Sequence, residues 1–384
     1  MLINIKKLLS KIFNTKQNYE NIKLNKDMLF KDYFMQYLKS LDGATRSRSY
    51  TSTLATATHI LNGLGHYRMS EINKVVLMEF INGFAQKTYT KGKKHSHQYY
   101  SQSMINKVYN LLHGAIKEAA AEDGDQLLRT DFMANIKKPQ SNRMSTEPKP
   151  LTDEEINMLS HIVSEIKIIN VWIHILIYTG VRPSEALALK WSDIDYKNKT
   201  IKIQRALSYN DFISPDTLER IKPREPVITN LKNEKQGSRV NYQRRTLKVG
   251  DKILTILKDW ENAVKSDKHL MRLKRKNRTE DYIFSSPSGQ FWLYEDYKQV
   301  YERLLKKHGL SVSVYNPYRF RHNCCTRLFR LNVNIKTIQM IMGDNTPDMV
   351  MRVYANLEKD DVLKGSAHYA DSLDTALGVV SKHK

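Results

Sequence analysis

Apolar side chains recur three and four residues apart along most of this chain and alternate in only a few short stretches. Phe30, Tyr33, Phe34, Tyr37 and Leu38 form one such stripe, starting just after Met28, and Leu54, Ala57 and Leu61 form a second. A third runs from Val75 to Phe84 and a fourth from Ser101 to Ala121, with the polar stretch TKGKKHSHQ read as a loop between them. That period is the buried face of an α-helix. The spacing therefore predicts an all-helical domain over residues 28–138. Residues 1–27, rich in Lys and Asn, read as a basic leading helix or arm. The stretch PQSNRMSTEPKP, residues 139–150, holds three prolines and almost nothing apolar, which marks a linker. Thr152 followed by Glu155 is a capping box, so a second domain, residues 151–384, begins there. Inside it, 200–206, 227–231 and 245–249 have strand character, with a turn-like EKQGS before the last. The expected fold is mainly α with a small antiparallel β-sheet of three strands.

Charge narrows the partners. The chain carries 62 Lys and Arg against 40 Asp and Glu, a net charge of +22. Residues 1–150 hold 23 basic and 12 acidic side chains and residues 151–384 hold 39 and 28, so each part carries +11. A basic tail would load one end only, whereas two basic halves suit a clamp around one polyanion, with affinity falling steeply in salt. Residues 265–278 and Lys91–Lys94 are candidate phosphate contacts. The longest apolar run, VWIHILIYTGV from Val171, is too short for a bilayer. The two cysteines, Cys324 and Cys325, are adjacent, cannot bridge each other within one helix, and read as small buried hydrophobes in a reducing compartment.

Three segments carry candidate chemistry. In TGVRPSEALALKWSDID, Gly180 ends an apolar helix and Pro183 opens the next, which puts Arg182 at a helix mouth with Glu185 just inside. In NPYRFRHNCCTRLFRL, Asn316 and Pro317 start a helix whose positions Tyr318, Arg321 and His322 share one face. A cation, an imidazole and a phenol there can grip and protonate a phosphodiester, while Arg319, Arg327 and Arg330 read as a solvated face. In IQMIMGDNTPDMVMRVYANL, Gly343 ends one helix, and Thr346 and Pro347 start another that carries Tyr354.

Taken together, the order Arg, Arg-His, Gly, Tyr resembles the tyrosine recombinases, the phage-type integrase family. The likeness spans nearly the whole chain, and TGVRPSEALAL is its most specific part. The resemblance implies a helical core-binding domain followed by a tyrosine-recombinase catalytic domain. It implies a site-specific recombinase that integrates or excises a mobile element through a 3′-phosphotyrosine. Arg182 and Arg321 would be the phosphate-binding arginines, His322 the histidine after the second, and Tyr354 the nucleophile. The family's general acid is a hairpin lysine, here Lys232 or Lys235, with Arg239 near the same place. Two guanidiniums suit the charge that builds on the phosphate oxygens, and a phenol of pKa ~10 needs such positive neighbours to attack at neutral pH. The phosphotyrosine conserves bond energy, so no cofactor, metal or ATP is expected.

This sequence departs from the family twice. Tyr318 stands where a His is usual, and a phenol still donates to phosphate. Asp344 stands where a His or Trp is usual, and a carboxylate there either repels the phosphate, caps the helix near Pro347, or points at Arg321 or His322. Two alternatives stay open: a catalytically impaired DNA-binding relative, and a type IB topoisomerase-like nicking-closing enzyme. The partners implied are double-stranded attachment-site DNA, further copies forming a tetramer, and DNA-bending accessory proteins, with no membrane. The expected place is the bacterial cytoplasm, on the nucleoid. The apolar stripe Tyr369, Leu373, Ala376, Leu377 and Val380 would be the segment that family members pass to a neighbouring subunit.

Overall fold

The computed structural model describes residues 25–41, 47–91, 96–121, 126–143, 150–214, 219–231, 244–344 and 350–351, together with short pieces between 366 and 373. It divides into two compact units, one of residues 1–146 with Asn210–Glu225, the other of 147–209 with 226–384.

Among the described residues the first unit has four helices: α1 Phe30–Ser40, α2 Ser47–Leu64, α3 Lys74–Gln86 and α4 Gln102–Ala120. The stripes read from the sequence form its core, with Phe30, Phe34, Leu38, Ile60, Leu77, Ile81 and Leu112 fully buried. Each such large side chain contributes about 1.5–3 kcal/mol by leaving water. Asn73 caps α3 by accepting from the backbone N–H groups of Val75 and Val76, and Ser101 caps α4 through Met104. Two buried tyrosines satisfy their hydroxyls on the backbone: Tyr33 donates to Ala115 O at 2.7 Å and Tyr109 to Ile136 O at 2.6 Å.

The polar stretch between α3 and α4 is not a plain loop. Thr88–Lys91 (β1) and Ser96–Tyr99 (β2) pair antiparallel, with Tyr89 opposite Gln98. Having no apolar face to alternate, it gave no strand signal. The outer part of a second hairpin also belongs to this unit. Strands β5 (Ala206–Ile213) and β6 (Arg220–Thr229) pair, and Ile213 packs on the helical core. The Asp211 side chain is fully buried there and accepts from Thr51 Oγ1 at 2.8 Å, Arg220 Nε at 2.9 Å and Arg224 Nε at 3.1 Å. A buried carboxylate is tolerated only when paired and hydrogen-bonded in this way.

The second unit is organised around α6 (Lys167–Thr179), which follows α5 (Asp153–Val163) and packs against α8 (Asp251–Ser266) and α11 (Pro317–Arg330). The capping box is formed, with Glu155 N donating to Thr152 Oγ1 and Thr152 N to Glu155 Oε2. Trp172 is fully buried and meets Tyr294, Tyr297 and Tyr301 at ring distances of 5.9–6.3 Å. His174, which interrupts the apolar run, is buried with Nδ1 on Asn170 O and Nε2 on Ser160 Oγ, both at 2.9 Å. Burial holds its pKa below the ordinary histidine value.

The sheet of this unit differs from the expectation. Its strands are β3 (Ile194–Asp195), β4 (Thr200–Ile203) and β7 (Arg245–Lys248), in that order and antiparallel, with Ile201 facing Ile194 on one side and Leu247 on the other. Residues 227–231, expected as the third strand, instead begin inside β6 of the separate hairpin and end beyond it. Pro223 and Pro226 in β6 cannot donate to a ladder, which suits a two-stranded ribbon rather than a central strand. Also described in this unit are α7 (Pro183–Ala186), α9 (Lys268–Lys276), α10 (Tyr294–Lys307) and α12 (Ile335–Met342). No helix among the described residues is long and apolar enough to cross a membrane.

Candidate active site

Two glycine turns set the positions of the candidate arginines. Gly180 ends α6 with φ +60° and Gly343 ends α12 with φ +67°, both left-handed conformations that side chains disfavour. Each turn also aims a carbonyl at an arginine that is distant in sequence. Arg321 Nη1 donates to Gly180 O at 3.0 Å, and Arg182 Nη1 donates to Gly343 O at 3.3 Å. Asn316 caps α11 by accepting from Tyr318 N, and Pro317 is its first residue, so Arg321 falls on the inward face of the second turn.

The two guanidiniums meet on one carboxylate. Asp344 Oδ1 accepts from Arg182 Nη2 at 2.5 Å and Asp344 Oδ2 from Arg321 Nη2 at 2.7 Å. Of the orientations open to Asp344 in the sequence, the structure has it on Arg321, and on Arg182 as well. Residues 345–349, which would receive a helix cap, lie outside the described residues. The Asp344 backbone is held separately: its N–H donates to Gln339 O, and its carbonyl accepts from Gln339 Nε2 at 2.9 Å.

Glu185 forms the second layer. Its Oε1 accepts from Arg182 Nη1 at 2.8 Å and its Oε2 from Arg245 Nη2 at 2.8 Å. The Glu185 side chain is 2% exposed and that of Arg245 6%. Burial by itself raises the Glu185 pKa, but Arg245 and Arg182 outweigh it and hold the group below the usual glutamate value. Arg245 also donates from Nε to Ile341 O at 2.7 Å, and a Cβ built on Gly343 would lie 2.5 Å from its Nη1. Arg245 thus ties strand β7 to the turn that carries Asp344. Burial, then the neighbouring Arg182, lowers the pKa of Arg321, with Asp344 and Glu185 opposing. Arg182, Arg245 and Arg321 against Glu185 and Asp344 leave one net positive charge.

Sequence reasoning did not find Arg245, Gln339 or the bridging role of Glu185. A signal for Arg245 existed, because it shares a strand face with buried Leu247. Arg182 is the N-cap residue of α7, with Glu185 in its first turn, but α7 is one turn long, and Arg182 N already donates to Glu185 Oε2 at 3.1 Å. Arg319 does not belong to the solvated face either. It is 8% exposed and donates to Val314 O, whereas Arg327, paired with Asp153, and Arg330 are exposed. Tyr318 and His322 flank Arg321 but are exposed, and the Tyr318 ring meets Tyr294 edge-on at 6.4 Å.

Cys325 is buried and Cys324 partly so, and burial pushes their thiols up to about 12 and about 11. In the basic stretch, Lys274 is withdrawn from any phosphate role: it is fully buried with Nζ on Tyr282 O at 2.7 Å, and burial lowers its pKa to about 8. Lys268, Arg272, Arg275, Lys276 and Arg278 remain exposed. Tyr354, Lys232, Lys235 and Arg239 lie outside the described residues, as do Gly92–Lys94, the side chain of Lys91, residues 1–24 and the tail beyond Leu373. Tyr369 and Leu373 are exposed. Among the described residues no cluster of His, Cys, Asp and Glu could hold a metal ion.

Residues 149–361 match the model of the phage integrase family. A tyrosine recombinase XerC-like protein of Caldanaerobacter subterraneus subsp. tengcongensis is 24% identical over 220 residues, covering 56% of this chain and 52% of that protein. The chain spans about half the length of the curated relatives it matches first. The fold is similar to that of the Tn1549 transposon integrase, solved in complex with transposon right end DNA. That likeness has a TM-score of 0.63 at 17% identity and covers 89% of this chain and all of that one. It is also similar to lambda integrase, solved as a tetramer bound to a Holliday junction, with a TM-score of 0.53 at 14% identity over 90% of this chain and 88% of that one.

Proposed function

Because the chain belongs to the phage integrase family, we propose that it is a site-specific DNA recombinase that cuts and rejoins double-stranded DNA through a 3′-phosphotyrosine at Tyr354. The observation that carries this reading is the convergence of Arg182 and Arg321. They are 139 positions apart in sequence, yet their Nη2 atoms meet on one two-oxygen anion. Guanidiniums arranged in this way grip the two non-bridging oxygens of a phosphodiester and stabilise the charge that builds there during attack. Glu185 and Arg245 act as positioning residues behind them.

In the cleavage step the Tyr354 hydroxyl passes its proton to His322 as its oxygen attacks phosphorus, a phosphorus–oxygen bond to tyrosine forms, and the bond to the 5′-oxygen breaks. Lys232 or Lys235 supplies the proton that the leaving 5′-oxygen takes. Tyr318, beside Arg321, donates a hydrogen bond to the phosphate. Rejoining reverses the step with the 5′-hydroxyl of another strand, which moves DNA into or out of a target without external energy. The partners are attachment-site DNA and further copies of this chain, four in the exchanging complex, with DNA-bending proteins as helpers. The reaction takes place on the bacterial nucleoid.

A nicked suicide duplex built from the repeats flanking the gene tests this reading. Wild type forms a denaturant-resistant protein–DNA adduct, and Tyr354→Phe forms none while keeping its DNA affinity. Arg182→Lys and Arg321→Lys keep the charge but lose the paired hydrogen bonds, so cleavage falls by about 10²–10³-fold. An adduct in the Phe variant rules out Tyr354 as nucleophile. The carboxylate of Asp344 on the arginine pair favours a second reading, a DNA-binding relative without strand cleavage. The absence of any wild-type adduct on a bound substrate would establish it.

A further inference from the structure

The nitrogens that would hold the phosphate are already engaged. Arg182 spends Nη1 on Glu185 and Gly343 O, and Arg321 spends Nη1 on Gly180 O. The Nη2 of each is on Asp344. A carboxylate and a phosphodiester present the same thing to that pair: two oxygens on one atom, sharing one negative charge. We propose that Asp344 is an internal stand-in for the scissile phosphate, an autoinhibitory carboxylate that closes the arginine pair in the DNA-free chain and is displaced when a phosphodiester enters. This rests on the reading of Arg182 and Arg321 as phosphate-gripping residues.

Three features support displacement over permanent bridging. The Asp344 backbone is fixed by Gln339 through bonds that do not involve its carboxylate, so the side chain can turn away while the chain stays in place. Arg182 keeps a 24% exposed side chain, which gives an incoming anion access to the pair. Both arginines also keep other acceptors, Glu185 and the two glycine carbonyls, which hold them in place once Asp344 leaves. The consequence is electrostatic. With Asp344 in place the five charged groups sum to one positive charge, and with it withdrawn they sum to two, against a phosphodiester carrying one negative charge. Occupancy by Asp344 keeps the pair from closing on stray anions, and binding energy from the rest of a DNA site is then needed to open it.

Titrating the full chain with inorganic phosphate, followed by calorimetry at fixed ionic strength, tests this. Asp344→Asn is expected to bind phosphate at least tenfold more tightly than wild type, about 1.4 kcal/mol. Asp344→Ser is expected to show the same gain, and Arg182→Gln added to Asp344→Asn to abolish it. Equal or weaker binding in both folded Asp344 variants overturns the proposal and makes Asp344 a fixed brace for the arginines. A gain that survives Arg182→Gln overturns it too, because the ion is then bound elsewhere. Trapping on the suicide duplex is read separately. Failed trapping with the phosphate gain present removes the recombinase reading alone, and normal trapping without the gain removes only the stand-in.

Discussion

Arg245 is where the site and the stability of the second unit meet, and its removal has a calculable cost. Arg245→Met keeps much of the side-chain volume and deletes the guanidinium. Glu185, 2% exposed, then loses one of its two arginine partners, and Ile341 O loses the Nε donor at 2.7 Å. Breaking a buried ion pair by removing one partner costs about 3–5 kcal/mol. Arg182 still holds Glu185 at 2.8 Å, which places the expected loss near the lower end, about 3 kcal/mol. All four tryptophans, Trp172, Trp191, Trp260 and Trp292, lie in the second unit, so their fluorescence during urea unfolding reports on that unit alone. With a slope of ~3 kcal/mol per molar, the midpoint falls by about 1 M. Adding Glu185→Gln removes the orphaned charge, so the double variant is expected to lose less than the sum of the single losses. A loss below about 1 kcal/mol, or strictly additive losses, refutes the argument that Arg245 neutralises Glu185.

Further outcomes follow from the same cluster. Gly343→Ala places a Cβ in a left-handed residue and against the pinned Arg245 guanidinium; a loss of about 1–2 kcal/mol is expected from the backbone alone, with a lower cleavage rate, and a neutral melting temperature would contradict it. Glu185 has a folded pKa below its unfolded value of ~4.3. Between the two values the unfolded chain binds more protons, so the contribution is complete above pH ~4.3 and is lost as pH falls through the folded value. Urea midpoints measured from neutral pH downward should show a shallower acid loss in Glu185→Gln than in wild type.

What the sequence determined by itself was whatever depends on residues within about four positions of one another. The helices follow from stripes such as Phe30, Phe34 and Leu38, and their ends follow from Thr152, Asn316, Gly180 and Gly343, because a cap or a left-handed turn is a local bond or a local dihedral. The two arginines were legible through the resemblance of their surrounding motifs, which no composition would have revealed. Strand pairing was legible only in part. Ile194–Asp195 is too short to show alternation, and the polar hairpin Thr88–Tyr99 has no apolar face, so these strands are defined by backbone pairing with the adjacent strand and not by any side-chain pattern. Arg319 looked like one more surface cation until the fold folded Val314 O over it. Asp344 shows the limit most clearly. Beside Gly343 it reads as a turn residue, and nothing near it in sequence announces Arg182, 162 positions away. Its meaning comes from two helix-ending glycines that bring both guanidiniums to one point, and a buried charge takes whichever opposite charge the tertiary fold sets beside it.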